Sequence, residues 1–344
     1  MIPHSYPTID KKSIVAAVRP LAVGQVSMGP QVAAFEKEFA VKFGLAQAAA
    51  VSSGTAALHL ALLGLGVGKG DEVIIPTHVC TALFNAVNYT GAKAVLADVG
   101  EDGNISATSA KAKLSRRTKA VIAAHMFGAP AEMKALLKLG VPIVEDVAQS
   151  IGARYYGKFV GALGKIGIFS FYATKMMTTG EGGMVVSFDR KILARVRDLL
   201  EYDHRSVYQV RFNYKMTDIQ AALGRVQLKE LNRFIARRRT LARFYDEQLK
   251  GLPVVLPMKD PLADLVHYRY VVQASGRAEK IIAAMQKRGV CCEKPLFKPL
   301  HQYLGLKGFP VSDRLMKNSV SLPIYPKLTD AQAKQVVKYF RSVL

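Results

Sequence analysis

The sequence predicts an α/β protein built on a mostly parallel sheet covered on both faces. Two observations carry this. Short continuous apolar runs alternate with helix-length stretches through the first half, and three of the runs close on a polar cluster. In chain order, a helix is expected at 55–65, entered through the small residues Ser52, Ser53 and Gly54. A buried strand follows at 73–76, then a helix at 81–90, a strand at 94–98 and a helix at 106–114. Strands at 120–124 and 142–146 bracket a helix at 131–139. The polar clusters are Pro76-Thr77-His78, His125-Met126-Phe127-Gly128 and Glu145-Asp146-Val147-Ala148-Gln149. Ligands of such sheets sit beyond the carboxyl ends of the strands, so the three clusters point to one shared site.

The pattern changes near Met216. Residues 217–249 form one long helical stretch that contains Arg237-Arg238-Arg239 and leads toward a second, smaller domain. The reading places a large α/β domain at 1–235 and a small C-terminal α+β domain at 236–344. In the latter a strand is expected at 268–272, helices at 278–288 and 329–343, and a loop-rich stretch at 295–310. The arginine run reads as a solvated helix face. No internal repeat or low-complexity tract interrupts the chain.

Composition excludes several classes. The 344 residues are 50% hydrophobic and 22% charged, which suits a packed core. With 48 Lys and Arg against 26 Asp and Glu, the net charge is +22, and the chain attracts polyanions or phosphorylated substrates. No apolar window reaches membrane-spanning length, and the opening Met-Ile-Pro-His-Ser-Tyr-Pro does not read as a signal peptide. Cys80, Cys291 and Cys292 imply neither a disulfide framework nor a zinc site, and fit a reducing, cytoplasmic setting. A basic nucleic-acid-binding protein is the rival class, but no nucleic-acid motif accompanies the charge.

Three stretches carry chemistry. In Val51-Ser52-Ser53-Gly54-Thr55-Ala56-Ala57-Leu58, small residues open a helix whose free N–H groups suit a phosphate, although a Ser or Thr there also simply caps the helix. Asp146 closes a buried strand, placed either to meet a positive nitrogen on a ligand or to cap the next segment. Lys175 lies among apolar and hydroxyl residues, and Thr178-Thr179-Gly180-Glu181-Gly182-Gly183 follows it. A desolvated lysine is nucleophilic and forms Schiff bases; the plainer reading is a surface lysine. The glycine-rich turn favours the first.

These motifs, together with Asn213-Tyr214-Lys215-Met216-Thr217-Asp218, occur in the order and spacing of one family. The sequence resembles the DegT/DnrJ/EryC1/StrS aminotransferases, pyridoxal 5'-phosphate (PLP) enzymes that aminate keto-sugars on nucleotide carriers. The likeness runs from Gly29-Pro30 to Tyr325-Pro326, nearly the whole chain. It implies a fold-type I aminotransferase architecture and a homodimer with shared sites. It gives Lys175 the covalent hold on PLP and the proton transfer, and Asp146 the pyridine nitrogen. Gln149 falls near the ring oxygen, and Gly54, Thr55 and Ser170 on the phosphate. Asn213 falls on the phosphate of the neighbouring subunit. The family stacks an aromatic residue on the ring where this sequence has His78, and imidazole can stack as well. Arg211 and Lys215 also depart from the family's usual residues. Lys298, His301 and Glu181, with Lys294, are the candidates for substrate contact. The implied reaction takes an amino group from an amino acid, L-glutamate first, and gives it to a keto-sugar nucleotide. A small cyclic ketone such as a cyclitol is the alternative acceptor. No metal is expected.

Overall fold

The computed structural model describes residues 1–344. Two helices open the chain. In α1 (Lys11–Ala22) the Asp10 carboxylate takes the Ser13 N–H at the N-terminus. α2 (Pro30–Phe43) starts on a proline and stops at Gly44 in the left-handed region. The main sheet then begins with β1 (Ala48–Val51), α3 (Gly54–Gly64), β2 (Glu72–Pro76), α4 (Thr81–Tyr89) and β3 (Lys93–Ala97). It continues with α5 (Ala107–Ala112), β4 (Thr118–Ala124), α6 (Met133–Leu136) and β5 (Ile143–Asp146). A small ladder, β6 (Arg154–Tyr155) and β7 (Lys158–Phe159), precedes β8 (Ile166–Ser170), β9 (Gly183–Val186) and α7 (Arg190–Leu199). α8 (Asp218–Leu249) is 32 residues long and starts at a Thr217–Gln220 capping box. The remainder holds β10 (Ala263–Asp264), β11 (Tyr270–Gln273), α9 (Ala278–Lys287), α10 (Leu300–Tyr303), α11 (Pro310–Asn318), β12 (Ser319–Leu322) and α12 (Asp330–Arg341).

The large sheet has the order β1-β9-β8-β5-β4-β2-β3. Neighbours from β8 to β3 are parallel, and only β9 runs against its two neighbours. One face packs on α2 and the first half of α8 through Phe35, Phe39, Phe169, Phe171, Leu228 and Leu231. The other face packs on α3, α4 and α7 through Leu58, Leu62, Ile75, Ile122 and Val196. A third core joins β11, β12, α9 and α12 to the far end of α8, and Ile2 belongs to it. The strands at β2 to β5 stand where the apolar runs predict them, because a strand buried on both faces needs no polar alternation.

Three expectations change. The predicted helix at 106–114 is only α5, with Ser106 as its cap, and the one at 131–139 is a single α-turn, α6, continued as a 3₁₀ turn through Leu139. The helices α1, α2, α7 and α11 and the strands β1, β8 and β9 were not predicted as such. The arginine run is not a solvated face. Arg238 is 3% exposed, and one guanidinium nitrogen reaches the carbonyls of Tyr268 and Ile324 at 3.1 and 2.7 Å. Arg237 pairs with Asp330 at 2.7 Å, and Arg239 donates to the Leu265 carbonyl. The run is the joint between α8 and the third core.

Three desolvated imidazoles, His4 and His78 buried and His267 half-buried, make the fold pH-dependent. Burial lowers His4 from 6.5 to about 3, with the charges of Arg269 and Arg238 adding to it. Burial likewise lowers His78 and His267 from 6.5 to about 4. The unfolded chain binds these protons first, so the stability they contribute is complete above pH 6.5 and is lost as the pH falls toward 4. Each contributes on the order of 3–5 kcal/mol at neutral pH. The thermal midpoint should fall between pH 7 and 4.5, and His267→Gln should flatten that slope. An unchanged slope would refute the assignment.

Candidate active site

Glu145 and Asp146 close β5, and the pleat sends them to opposite faces of the sheet. Glu145 is fully buried and accepts four hydrogen bonds. They come from His125 Nε2 at 3.0 Å and from the backbone N–H groups of Gly161, Leu163 and Gly164 at 2.8, 2.7 and 2.6 Å. The Ala131 N–H donates to His125 Nδ1 at 2.9 Å, so the ring carries its hydrogen on Nε2 and gives it to Glu145. This anchor fixes the strand end on which Asp146 stands.

Asp146 faces the α3 side. Its Oδ1 accepts the Ala148 N–H at 2.9 Å, and Oδ2 has no partner in the chain. Burial raises its carboxyl above the usual range, while the Ala148 N–H and the charge of Lys175 oppose the rise. An unpaired, desolvated carboxylate at a strand end is a site prepared for a cation.

Lys175 stands in the loop between β8 and β9, after the β-bridge residue Tyr172 and before the buried Met176 and Met177. Its amine makes no ion pair or hydrogen bond. It faces the ring of Tyr268, whose centroid lies 5.3 Å from Nζ. The glycines after Lys175 are obligatory. Gly182 has φ +154°, and a Cβ on Gly183 would stand 2.4 Å from the Ser53 carbonyl. This contact presses the β9 end against the loop that opens α3.

In that loop the cap and the cradle are separate residues. Ser53 Oγ accepts the Ala56 N–H at 3.1 Å and caps α3, leaving the Thr55 hydroxyl without a partner. A Cβ on Gly54 would lie 2.8 Å from Ser170 Cβ, so the two residues form a notch at the helix N-terminus with room for no side chain. Such a notch holds an anionic group. Gln149, three residues beyond the end of β5, takes the Phe127 N–H on its Oε1 at 2.9 Å. Gly54, Thr55, Asp146, Gln149, Ser170 and Lys175 are thus brought to the ends of β5 and β8 and the start of α3.

Other candidates lie elsewhere. His78 is fully buried, its Nδ1 bonded to Ser312 Oγ at 3.0 Å, and the charges that act on it are Asp98 and His301. The residue at that strand end on which Lys175 and Asp146 act is Cys80, which is exposed. His301 is also internal: Thr77 Oγ1 and Asp313 Oδ1 occupy its two ring nitrogens at 2.8 and 2.9 Å. Lys298 lies over the Tyr303 ring, Lys294 pairs with Glu279, and Glu181 is exposed. Asn213 is exposed as well, held outward between Phe212 and Tyr214, which stack on each other above His59. Arg211 ties to Asp198 and Lys215 to Glu201, inside their own segment. Sequence reading missed Tyr268, Cys80 and the His125–Glu145 pair. His125 and Glu145 lie in the quoted polar clusters, whereas nothing local marks Tyr268.

Comparisons with known proteins point to one family. A profile of the DegT/DnrJ/EryC1/StrS aminotransferase family matches residues 7–341. A GDP-perosamine synthase of Escherichia coli O157:H7 is 33% identical over 323 residues, 89% of this chain and 88% of that protein. A dTDP-3-amino-3,4,6-trideoxy-alpha-D-glucose transaminase of Streptomyces venezuelae is 34% identical over 354 residues, 98% of this chain and 93% of its own. Among solved structures, DesV of S. venezuelae in complex with a ketimine intermediate superposes with a TM-score of 0.91 at 35% identity, covering 96% of this chain and 93% of that one.

The Glu145 anchor yields a test. Glu145→Ala would orphan three backbone N–H groups and His125, and should destabilise the chain by about 3–5 kcal/mol in urea unfolding. A loss below about 1 kcal/mol would show that the carboxylate is not the anchor.

Proposed function

The chain belongs to the DegT/DnrJ/EryC1/StrS family of PLP-dependent aminotransferases, and from that premise we propose that it transfers an amino group from glutamate to a keto-sugar on a nucleotide carrier. The observation that carries the reading is the meeting of an unpaired lysine amine, a half-free buried carboxylate and a side-chain-free notch at a helix N-terminus. That set fits PLP: an aldehyde, a basic ring nitrogen and a phosphate each find a partner of the right chemistry. When bound, the cofactor supplies an electron sink for the charge left when a proton leaves the amino-bearing carbon.

The residues divide the work. Lys175 Nζ would hold the cofactor covalently and serve as the base that moves the proton. Asp146 would pair with the ring nitrogen and favour its protonated form. The α3 N-terminus, with Gly54, Thr55 and Ser170, would take the phosphate. Gln149 is held by Phe127 with its amide nitrogen free for the ring oxygen. His78 is outside this proposal because its ring belongs to the α11 contact. The substrate pyrophosphate calls for a cation, and Lys298 remains the candidate. The names of the two relatives, a GDP-linked and a dTDP-linked aminosugar enzyme, support a nucleotide-bound acceptor.

The second half of the proposal is a homodimer. Asn213 stands outside its own fold, and Tyr202, Val207, Tyr208 and Val210 expose apolar area before it, Tyr208 to 93%. A second copy covers this segment and receives Asn213 at its phosphate. A reducing cytoplasmic setting belongs to the same reading, supported by the three unpaired cysteines.

With PLP added, the protein should show a visible absorbance band that glutamate shifts into the near ultraviolet. Lys175→Ala should lose both that band's borohydride sensitivity and all turnover; full turnover would overturn the reading. Mixing Lys175→Ala and Asn213→Ala chains should restore activity that neither has alone. Absence of rescue, with mixed dimers demonstrated by native mass spectrometry, would refute the shared site.

A further inference from the structure

Resting on the proposed role of Lys175, we propose that Tyr268 is its positioning residue. The phenol ring faces the amine and the hydroxyl fixes the neighbouring residue, so that the segment leading into β11 sets where Lys175 stands.

The contacts are specific. Lys175 Nζ has no hydrogen bond or ion pair, and its neighbour is the Tyr268 ring at 5.3 Å. The Tyr268 hydroxyl meets Thr174 Oγ1 at 3.2 Å. One side chain therefore holds the lysine from two sides, by its π face at the amine and by its hydroxyl at the preceding residue. Burial alone would push the Tyr268 phenol up, but the charges of Lys175 and Arg269, the Thr174 bond and the charge of Arg238 outweigh it and hold the phenol below its ordinary range. The electrostatics thus couple the same groups that the geometry brings together.

Tyr268 is itself clamped. Arg238, buried in α8, donates to the carbonyls of His267, Tyr268 and Ile324. Burial pushes its guanidinium down to about 10. On the other side the chain crosses the turn at Phe127 and Gly128. Val266 N–H donates to the Gly128 carbonyl at 3.0 Å and Arg269 N–H to the Phe127 carbonyl at 3.2 Å. A Cβ on Gly128 would stand 2.5 Å from the Tyr268 nitrogen. Phe127 and His267 both lie in the left-handed region, at φ 60° and 50°, a strain that persists only where surroundings over-determine the backbone. The Phe127 N–H also holds Gln149. The turn therefore ties Tyr268 and Gln149, two sides of one site, to the same piece of backbone.

The test uses the PLP-loaded enzyme and three variants: Tyr268→Phe, Tyr268→Leu and Thr174→Val. Thermal midpoint and PLP affinity check folding and loading, kcat and KM for glutamate are separated, and visible circular dichroism of the bound cofactor reads how rigidly it is held. Tyr268→Phe and Thr174→Val should each lower kcat about 10-fold, and Tyr268→Leu about 100-fold, with KM little changed and the dichroism reduced in the same order. Full kcat and dichroism in a folded, loaded Tyr268→Leu enzyme would overturn the proposal. So would losses that simply follow the thermal midpoint. If Tyr268→Leu fails to fold, the other two variants decide by the same criteria. A wild-type chain that forms no borohydride-sensitive PLP adduct would instead refute the role of Lys175, a separate failure.

Discussion

Two adjacent carboxylates at the end of β5 organise the molecule between them. Glu145 lies wholly inside the fold, and it is tolerable there only because four donors converge on it. Three of those donors are backbone groups of one turn, so the carboxylate ties the 161–164 loop to the sheet just before β8. Asp146, one residue on, points to the other face and keeps one oxygen free. The pleat of a single strand thus separates a structural acid from a chemical one. Displacing the first would displace the second, and with it the alignment of β8 that leads to Ser170 and Lys175.

The second constraint is close approach. β9 runs against β1 and β8, and its first residue, Gly183, presses on the Ser53 carbonyl. This brings the loop that opens α3 next to the end of β8, where Gly54 meets Ser170. No side chain fits at either contact. The N-terminus of α3, a region of partial positive charge, is thereby left open toward the site while Ser53 closes the helix behind it.

The joint to the third core follows from charge burial. Arg237, Arg238 and Arg239 are consecutive, and a helix turns successive residues by about 100°, so they serve three directions. Arg237 reaches α12, Arg238 enters the interior beneath Tyr268, and Arg239 takes the Leu265 carbonyl. A run that reads as solvated charge in one dimension becomes a set of carbonyl clamps in three. The net charge of +22 is larger than these contacts need, and the remaining cations cover the surface.

The sequence by itself determined the parallel core strands, the long helix from Asp218, the side-chain-free opening of α3 at Gly54 and the positions of Lys175 and Asp146 in the chain. Each is written in a local signal: an unbroken apolar run, a capping pair, small residues before a helix, a glycine turn after a lysine. Short elements such as α5 and α6 were overextended, because helical periodicity does not mark where a helix stops. β1, β8 and β9 were not read as strands, because nothing local says that those short runs would be paired. The tertiary structure alone decided that His78 and His301 turn inward to Ser312, Thr77 and Asp313 while Cys80 stands nearer Lys175 and Asp146. It alone brought Tyr268, 93 residues away in sequence, against Lys175. The physical reason is the same in each case. Which partner a polar side chain meets depends on the crossing of distant segments, and a hydrogen bond or a ring contact is made with whatever the fold places there.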